Sequence, residues 1–285
     1  MSLIAIFSLL LLQKTMPDFH VSHPDAWYDQ FIDWLGKKSL GNNAILLISV
    51  IVPAVLVGWL LIIIDLALVT LAVDIVILFW ASGTGGWRKA VDQFIASAEA
   101  EKLAPAKQLA IDKFEIKSMP ATTSLSDVCH AVNNHLSLVT FSRFFNIIFW
   151  YALLGSAGVV LVRLTDNAMR HELSGSASDA EVDRQPKVVQ TVRSIQYGLN
   201  WPSVRLHGLV LSLVGNFEHT FKLFLSDMST EQKDEQQQLI DYVCQALNLK
   251  TLGGTTRVLK SQMLLIERAR LIWLAGLSVV FVLLG

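Results

Sequence analysis

The stretch LLIIIDLALVTLAVDIVILFW, residues 60–80, is almost pure hydrocarbon yet carries two carboxylates, Asp65 and Asp74. It sits in a longer run, 44–80, of 37 residues in which these aspartates are the only charges. One straight helix of that length would reach about 55 Å at roughly 1.5 Å per residue, far more than the ~30 Å hydrocarbon layer of a bilayer. Two spans of about 18 residues, folded back near Asp65, fit the bilayer instead. Asp65 then sits at the water boundary, where a carboxylate costs little. IIIDLAL lacks the Gly, Pro or Asn that usually mark a turn, so a bend at Pro53 or Gly58 is the alternative. Asp74 falls at mid-depth, where an aspartate costs roughly 2.5–3.5 kcal/mol on insertion scales. It needs a partner, a wet cavity or a proton. It is therefore either a ligand or proton site, or one half of a buried bond that holds helices together.

The rest of the chain agrees with lipid as solvent. Of its 285 residues 53% are hydrophobic and 16% charged, with a mean hydropathy of +0.48. Soluble domains average about 45–50% apolar and about 25% charged. The net charge is −1 and the basic residues are dispersed. That pattern lacks the dense positive patch a phosphate backbone requires, so no nucleic-acid partner is expected. Cys129 and Cys244 form no C-x-x-C pair and read as buried thiols. The N-terminus MSLIAIFSLLLLQK has neither the positive start nor the cleavage site of a signal peptide, and its apolar run is too short to cross. It reads as an interfacial or partly inserted helix.

The expected fold is all-α: a polytopic helical membrane protein, one domain over 1–285, with about four membrane-crossing helices plus cytoplasmic amphipathic helices. The membrane segments fall at about 44–62, 64–81, 144–162, 199–217 and 271–285, and the cytoplasmic helical regions at 83–142 and 218–270. FFNIIFWYALLGSAGVVLV, 144–162, is bounded by Arg143 and Arg163 and matches bilayer thickness. Lys37, Lys38, Arg88, Lys89, Arg143, Arg268 and Arg270 flank spans and should be cytoplasmic by the positive-inside rule, in a multi-pass membrane protein. Parity then requires another crossing between the third span and the last. LNWPSVRLHGLVLSLVGNF, 199–217, is the candidate, as a crossing or a deeply re-entrant helix with Arg205 and His207 turned toward protein. Arg205 is the natural counter-ion for Asp74 or Asp166 by charge economy.

Outside the spans the periodicity is helical. Trp87, Val91, Phe94 or Ile95, and Ala98 share one face, Pro105 starts a second helix, and SLSDVCHAVNNHLSLVTFSRFF forms a third that runs into the membrane. SGSASDAEVDR, 174–184, is a polar linker. Val188, Val192, Ile195 and Leu199 mark an amphipathic helix. Ser229 and Gln232, in capping-box spacing, open another with Leu239, Tyr242, Val243 and Ala246 on one face, and LGG at 252–254 closes it.

Signals of chemistry are few. Gly83, Gly85 and Gly86 lack the spacing of a phosphate loop and read as a flexible exit from a membrane helix. His130 and His135, five apart, point roughly 140° away from each other on a helix, so no metal is expected, and no other cofactor. His20, His23, Asp25 and Asp29 precede the first span as an interfacial cap or a polar binding lip. No serine or cysteine has a nucleophile motif around it.

The order of these features resembles the AmpE family of inner-membrane proteins, encoded beside the anhydromuramyl-peptide amidase in Gram-negative bacteria, over essentially the whole chain. The matching features are the apolar N-terminus, HPDAWYDQFIDWLGK, the double-span segment, the Phe-rich span and LNWPSVRLHGLVLSLVG, in which Pro202 stands one place earlier than in the family pattern. AmpE is in turn similar to the cobalamin-biosynthesis membrane synthases of the CobD/CbiB type. On their pattern Asn133 and Ser137 stand where acids belong, Asn134 is retained, Asp166 matches a later acid, and Asn200 and Arg205 match the last motif. An ATP-driven ligation needs carboxylates to hold Mg²⁺ between phosphates, and two are neutral here. The resemblance therefore implies a non-catalytic regulatory protein linked to β-lactamase induction, antibiotic response and peptidoglycan-recycling signalling. The expected ligand site is a polar intramembrane pocket drawn from Asp74, Asn133, Asn134, Asp166, Asn200, Arg205 and His23. The expected partners are the bilayer, a small cell-wall-derived or phosphate-bearing molecule, and a membrane or cytoplasmic protein. A CobD/CbiB-type amide ligase or a small transporter is the alternative.

Overall fold

The computed structural model describes residues 2–15, 25–38, 42–64, 66–83, 87–114, 116, 123–175, 185–228, 234–250 and 254–284. Among them there is no strand, and the all-α class holds. In chain order the helices are α1 (Ser2–Thr15), α2 (Ala26–Gly36), α3 (Asn42–Leu46), a π-helical turn (Leu47–Ile51), α4 (Val52–Ile63), α5 (Ala67–Ser82), α6 (Trp87–Glu99) and α7 (Leu103–Phe114). They continue with α8 (Leu125–Thr140), a second π-helical turn (Phe141–Phe145), α9 (Asn146–Gly175), α10 (Gln185–Val214), α11 (Phe217–Met228), α12 (Glu235–Ala246) and α13 (Thr256–Leu284). The chain divides into two compact units, Met1–Thr84 with Asn146–Trp201, and Gly85–Phe145 with Pro202–Gly285.

In the first unit the long apolar run is interrupted at 64–66, where α4 ends and α5 begins, while the expected turn residue Asp65 itself lies outside the described residues. The break is therefore not at Pro53 or Gly58. Pro53 stands in the first turn of α4, just after the π-helical turn. A proline supplies no N–H and its ring crowds the carbonyl four residues back, and a wider turn relieves both. Both α4 and α5 pack on α9, and α1, whose Ala5, Ile6 and Leu9 are fully buried, packs on α5. Their outer faces are bare hydrocarbon: Ile62 is 82% exposed, Leu68 78% and Val76 67%. Water does not hold such faces apart; lipid does. Three stretches, Ala44–Ile63, one that begins with α5 at Ala67, and Leu125–His171, are long and apolar enough to cross a membrane.

The second unit has an interior of the soluble kind. Val91, Phe94 and Ala98 of α6 pack with Ala106 and Ala110 of α7, Val128 and Val132 of α8, and Leu259 and Ile266 of α13. Ser124 and Asp127 form a reciprocal capping box that starts α8. Leu239, Tyr242, Val243 and Ala246 share the buried face of α12 as expected. The expected Ser229–Gln232 cap lies outside the described residues; Asp234 caps α12 by accepting from the Gln236 N–H. The helix ends at Ala246, ahead of LGG. Asn248, with φ of 57°, supplies the left-handed residue expected of glycine. Two further expectations shift. The 186–199 helix and the apolar run after it form one helix, α10, which contains Pro202 and stops at Val214. The amphipathic lead-in and apolar end of 256–284 likewise form the single helix α13.

Candidate functional site

Asp74 is 8% exposed and its two carboxylate oxygens are each claimed by a hydroxyl of α9. Tyr151 Oη donates to one at 2.9 Å and Ser156 Oγ to the other at 2.6 Å. Five positions on a regular helix turn through roughly 140° net of a full rotation, so these two side chains would not meet on one acceptor. Gly155 resolves the conflict. Its φ of 62° and ψ of −152° break the helix between them, in a region of backbone space essentially reserved for glycine. The kink brings the two halves of α9 so close that a Cβ on Gly158 would lie 2.6 Å from the Trp150 carbonyl oxygen. Two glycines thus bring two hydroxyls to one acid. The mid-span carboxylate is met by neutral donors, not by an arginine.

The remaining sequence-selected residues fall into other settings. Asp166, also in the first unit, accepts from Arg170 at 3.2 Å and from Gln196 at 3.4 Å, with Arg163 at 3.9 Å. Its cations are its own helical neighbours at i−3 and i+4. Asn200 accepts from Asn146 Nδ2 at 2.9 Å, beside the Trp150 indole, which donates to the Leu199 carbonyl at 3.0 Å. His23 lies outside the described residues.

In the second unit Asn133 is fully buried, and its carbonyl and the Ser137 hydroxyl both accept from Gln262 Nε2, at 3.0 and 2.7 Å. Of the two positions that the ligase pattern fills with acids, Ser137 is thus spent through its side chain on a helix-to-helix bond, while Asn133 contributes its backbone carbonyl. Asn134 lies 3.5 Å from His130 Nδ1. Arg205 and His207 are buried in this unit. Arg205 donates to the Asp227 carbonyl at 3.2 Å. His207 packs against Phe145, with ring centroids 4.0 Å apart and the rings tilted, and lies 3.4 Å from the Trp273 indole nitrogen. Burial, and next the Asp227 carboxylate, push the nearby Tyr242 phenol well above its ordinary range. No group of three or more metal-binding side chains occurs among the described residues, and both cysteines are buried thiols.

Sequence reasoning found Asp74 but not its partners. Tyr151 and Ser156 stand 77 and 82 positions away, and the one available signal was the pair of glycines in LLGSAGV inside an otherwise bulky span. Also missed were Arg163 with Asp25, which form an ion pair, and His171 with Asp33 at 3.2 Å. No curated protein and no solved structure matches the chain. The family described as regulatory signalling modulator protein AmpE matches residues 1–280, nearly the full length, and the chain belongs to that family.

Proposed function

We propose that this chain is a non-catalytic regulatory protein of the inner membrane, linked to β-lactamase induction and peptidoglycan-recycling signalling. On this reading it responds to occupancy of a polar intramembrane site centred on Asp74. The observation that carries the reading is the tie between Asp74 and hydroxyls on both sides of the α9 break. A ligand that donates hydrogen bonds to Asp74 competes with Tyr151 and Ser156, and so acts on the geometry of the break. A carboxylate ringed by neutral donors favours ligands with hydroxyl or amine groups over phosphates. The use of the Ser137 hydroxyl to bind Gln262 supports a non-catalytic role.

The test replaces the charge and keeps the shape. Asp74→Asn is expressed in cells lacking the chromosomal copy, and β-lactamase activity is measured after exposure to an inducing β-lactam. The expected outcome is a protein present in the membrane at wild-type level whose induction response matches that of cells without the chain. Wild-type induction by the variant would overturn the reading.

A further inference from the structure

The first unit holds a second polar feature, separate from Asp74. Arg163 binds Asp25, and His171 Nε2 donates to Asp33. Both bridges join residues 138 positions apart. An equal offset at both ends means that α2 and α9 run parallel and in register over eight residues, a rise of about 12 Å. On α9 the residues along this line are Arg163, Asn167 and His171, each four apart and hence on one face. Asp25, the residue just before α2, and Asp33 within it meet the first and last of these, while Asp29 at the middle position is exposed.

Between the two bridges the polar groups are left open. Asn167 is 3% exposed, and neither its Oδ1 nor its Nδ2 has a partner among the described residues. Arg163 Nε, Asp25 Oδ1 and His171 Nδ1 are buried and also open. A buried amide with nothing to bond costs roughly 1–3 kcal/mol, and a native fold keeps such a group for a reason. The open atoms form a mixed set: donors on Asn167 Nδ2 and Arg163 Nε, acceptors on Asn167 Oδ1 and Asp25 Oδ1. The arginines here are already paired, Arg163 with Asp25 and Arg170 with Asp166. There is no surplus positive charge for an anion. The matching chemistry is uncharged and presents a donor and an acceptor side by side, as an amide does.

We propose that the seam between α2 and α9 binds an amide-bearing, peptide-like ligand, with Asn167 gripping one amide by a paired donor and acceptor bond. Arg163 and Asp25 meet the next carbonyl and N–H along the ligand. The site does not depend on Asp74, and its readout is binding rather than induction, so it stands or falls apart from the regulatory reading.

Full-length protein in lipid nanodiscs is titrated with N-acetylalanine N′-methylamide, with inorganic phosphate and with glycerol. The diamide is expected to bind saturably, while phosphate and glycerol do not. Asn167→Asp, which keeps the volume but loses the two donor hydrogens, weakens diamide binding at least tenfold. Asn167→Leu abolishes binding and raises the Tm of the ligand-free protein, because it removes a buried group that has no partner at rest. The proposal is overturned if the diamide shows no saturable binding to the wild type, or if glycerol or phosphate binds equally well. A lowered Tm or a failure to fold in Asn167→Leu overturns it too, by showing that ordered water already satisfies the amide.

Discussion

Asp74 shows how a single acid is accommodated in hydrocarbon. A hydrogen bond to a charged acceptor contributes about 1.5–3 kcal/mol, so two of them offset an insertion cost of roughly 2.5–3.5 kcal/mol without a counter-ion. Removing one hydroxyl leaves the charge undercompensated. Ser156→Ala and Tyr151→Phe should each destabilise the protein by about 2 kcal/mol in thermal unfolding in nanodiscs. The same changes made on Asp74→Asn should cost well under half as much, because the acceptor no longer carries charge. Additive losses in the double variants would show that the hydroxyls serve something other than Asp74. That Asp74 needs company was legible from hydropathy alone. Which residues supply it was not, because a hydroxyl in an apolar helix looks the same in sequence whether it bonds its own backbone or a distant acid.

The faces of α6, α8 and α12 follow from apolar spacing, since each buries one stripe and exposes the other. The span α9 does not, since lipid and protein select the same residue types and periodicity cannot separate them. Its break depends on one residue. A Cβ on Gly155 would touch nothing within 4 Å, so the penalty of Gly155→Ala is purely that of the backbone, on the order of 1–3 kcal/mol. The chain escapes it by straightening, which swings Ser156 away from Tyr151 and frees one oxygen of Asp74. Unfolding measurements should find Gly155→Ala destabilised, with little further loss on adding Ser156→Ala. A full additional loss from the second change would mean that the break survives without glycine.

At the scale of the whole molecule, the solvent decides what the surface looks like. Exposed Val76 lies two residues beyond Asp74, at mid-depth, whereas exposed Leu68 lies at the start of α5. An arginine costs roughly 2.5–3.5 kcal/mol at a span centre and far less at its end. Val76→Arg should therefore reduce membrane insertion in a glycosylation-mapping assay, and Leu68→Arg should not. Equal insertion of both would refute a bilayer around α5. The division into two units was not legible, because each is assembled from stretches distant in sequence. The matching offset of the two bridges between α2 and α9 has a further mechanical meaning. Like two rungs cut to one spacing, Asp25–Arg163 and Asp33–His171 tolerate no slip: a one-residue creep of one helix along the other spoils both together. That ladder is either engaged or released, with no half-way position for a gradual adjustment to occupy.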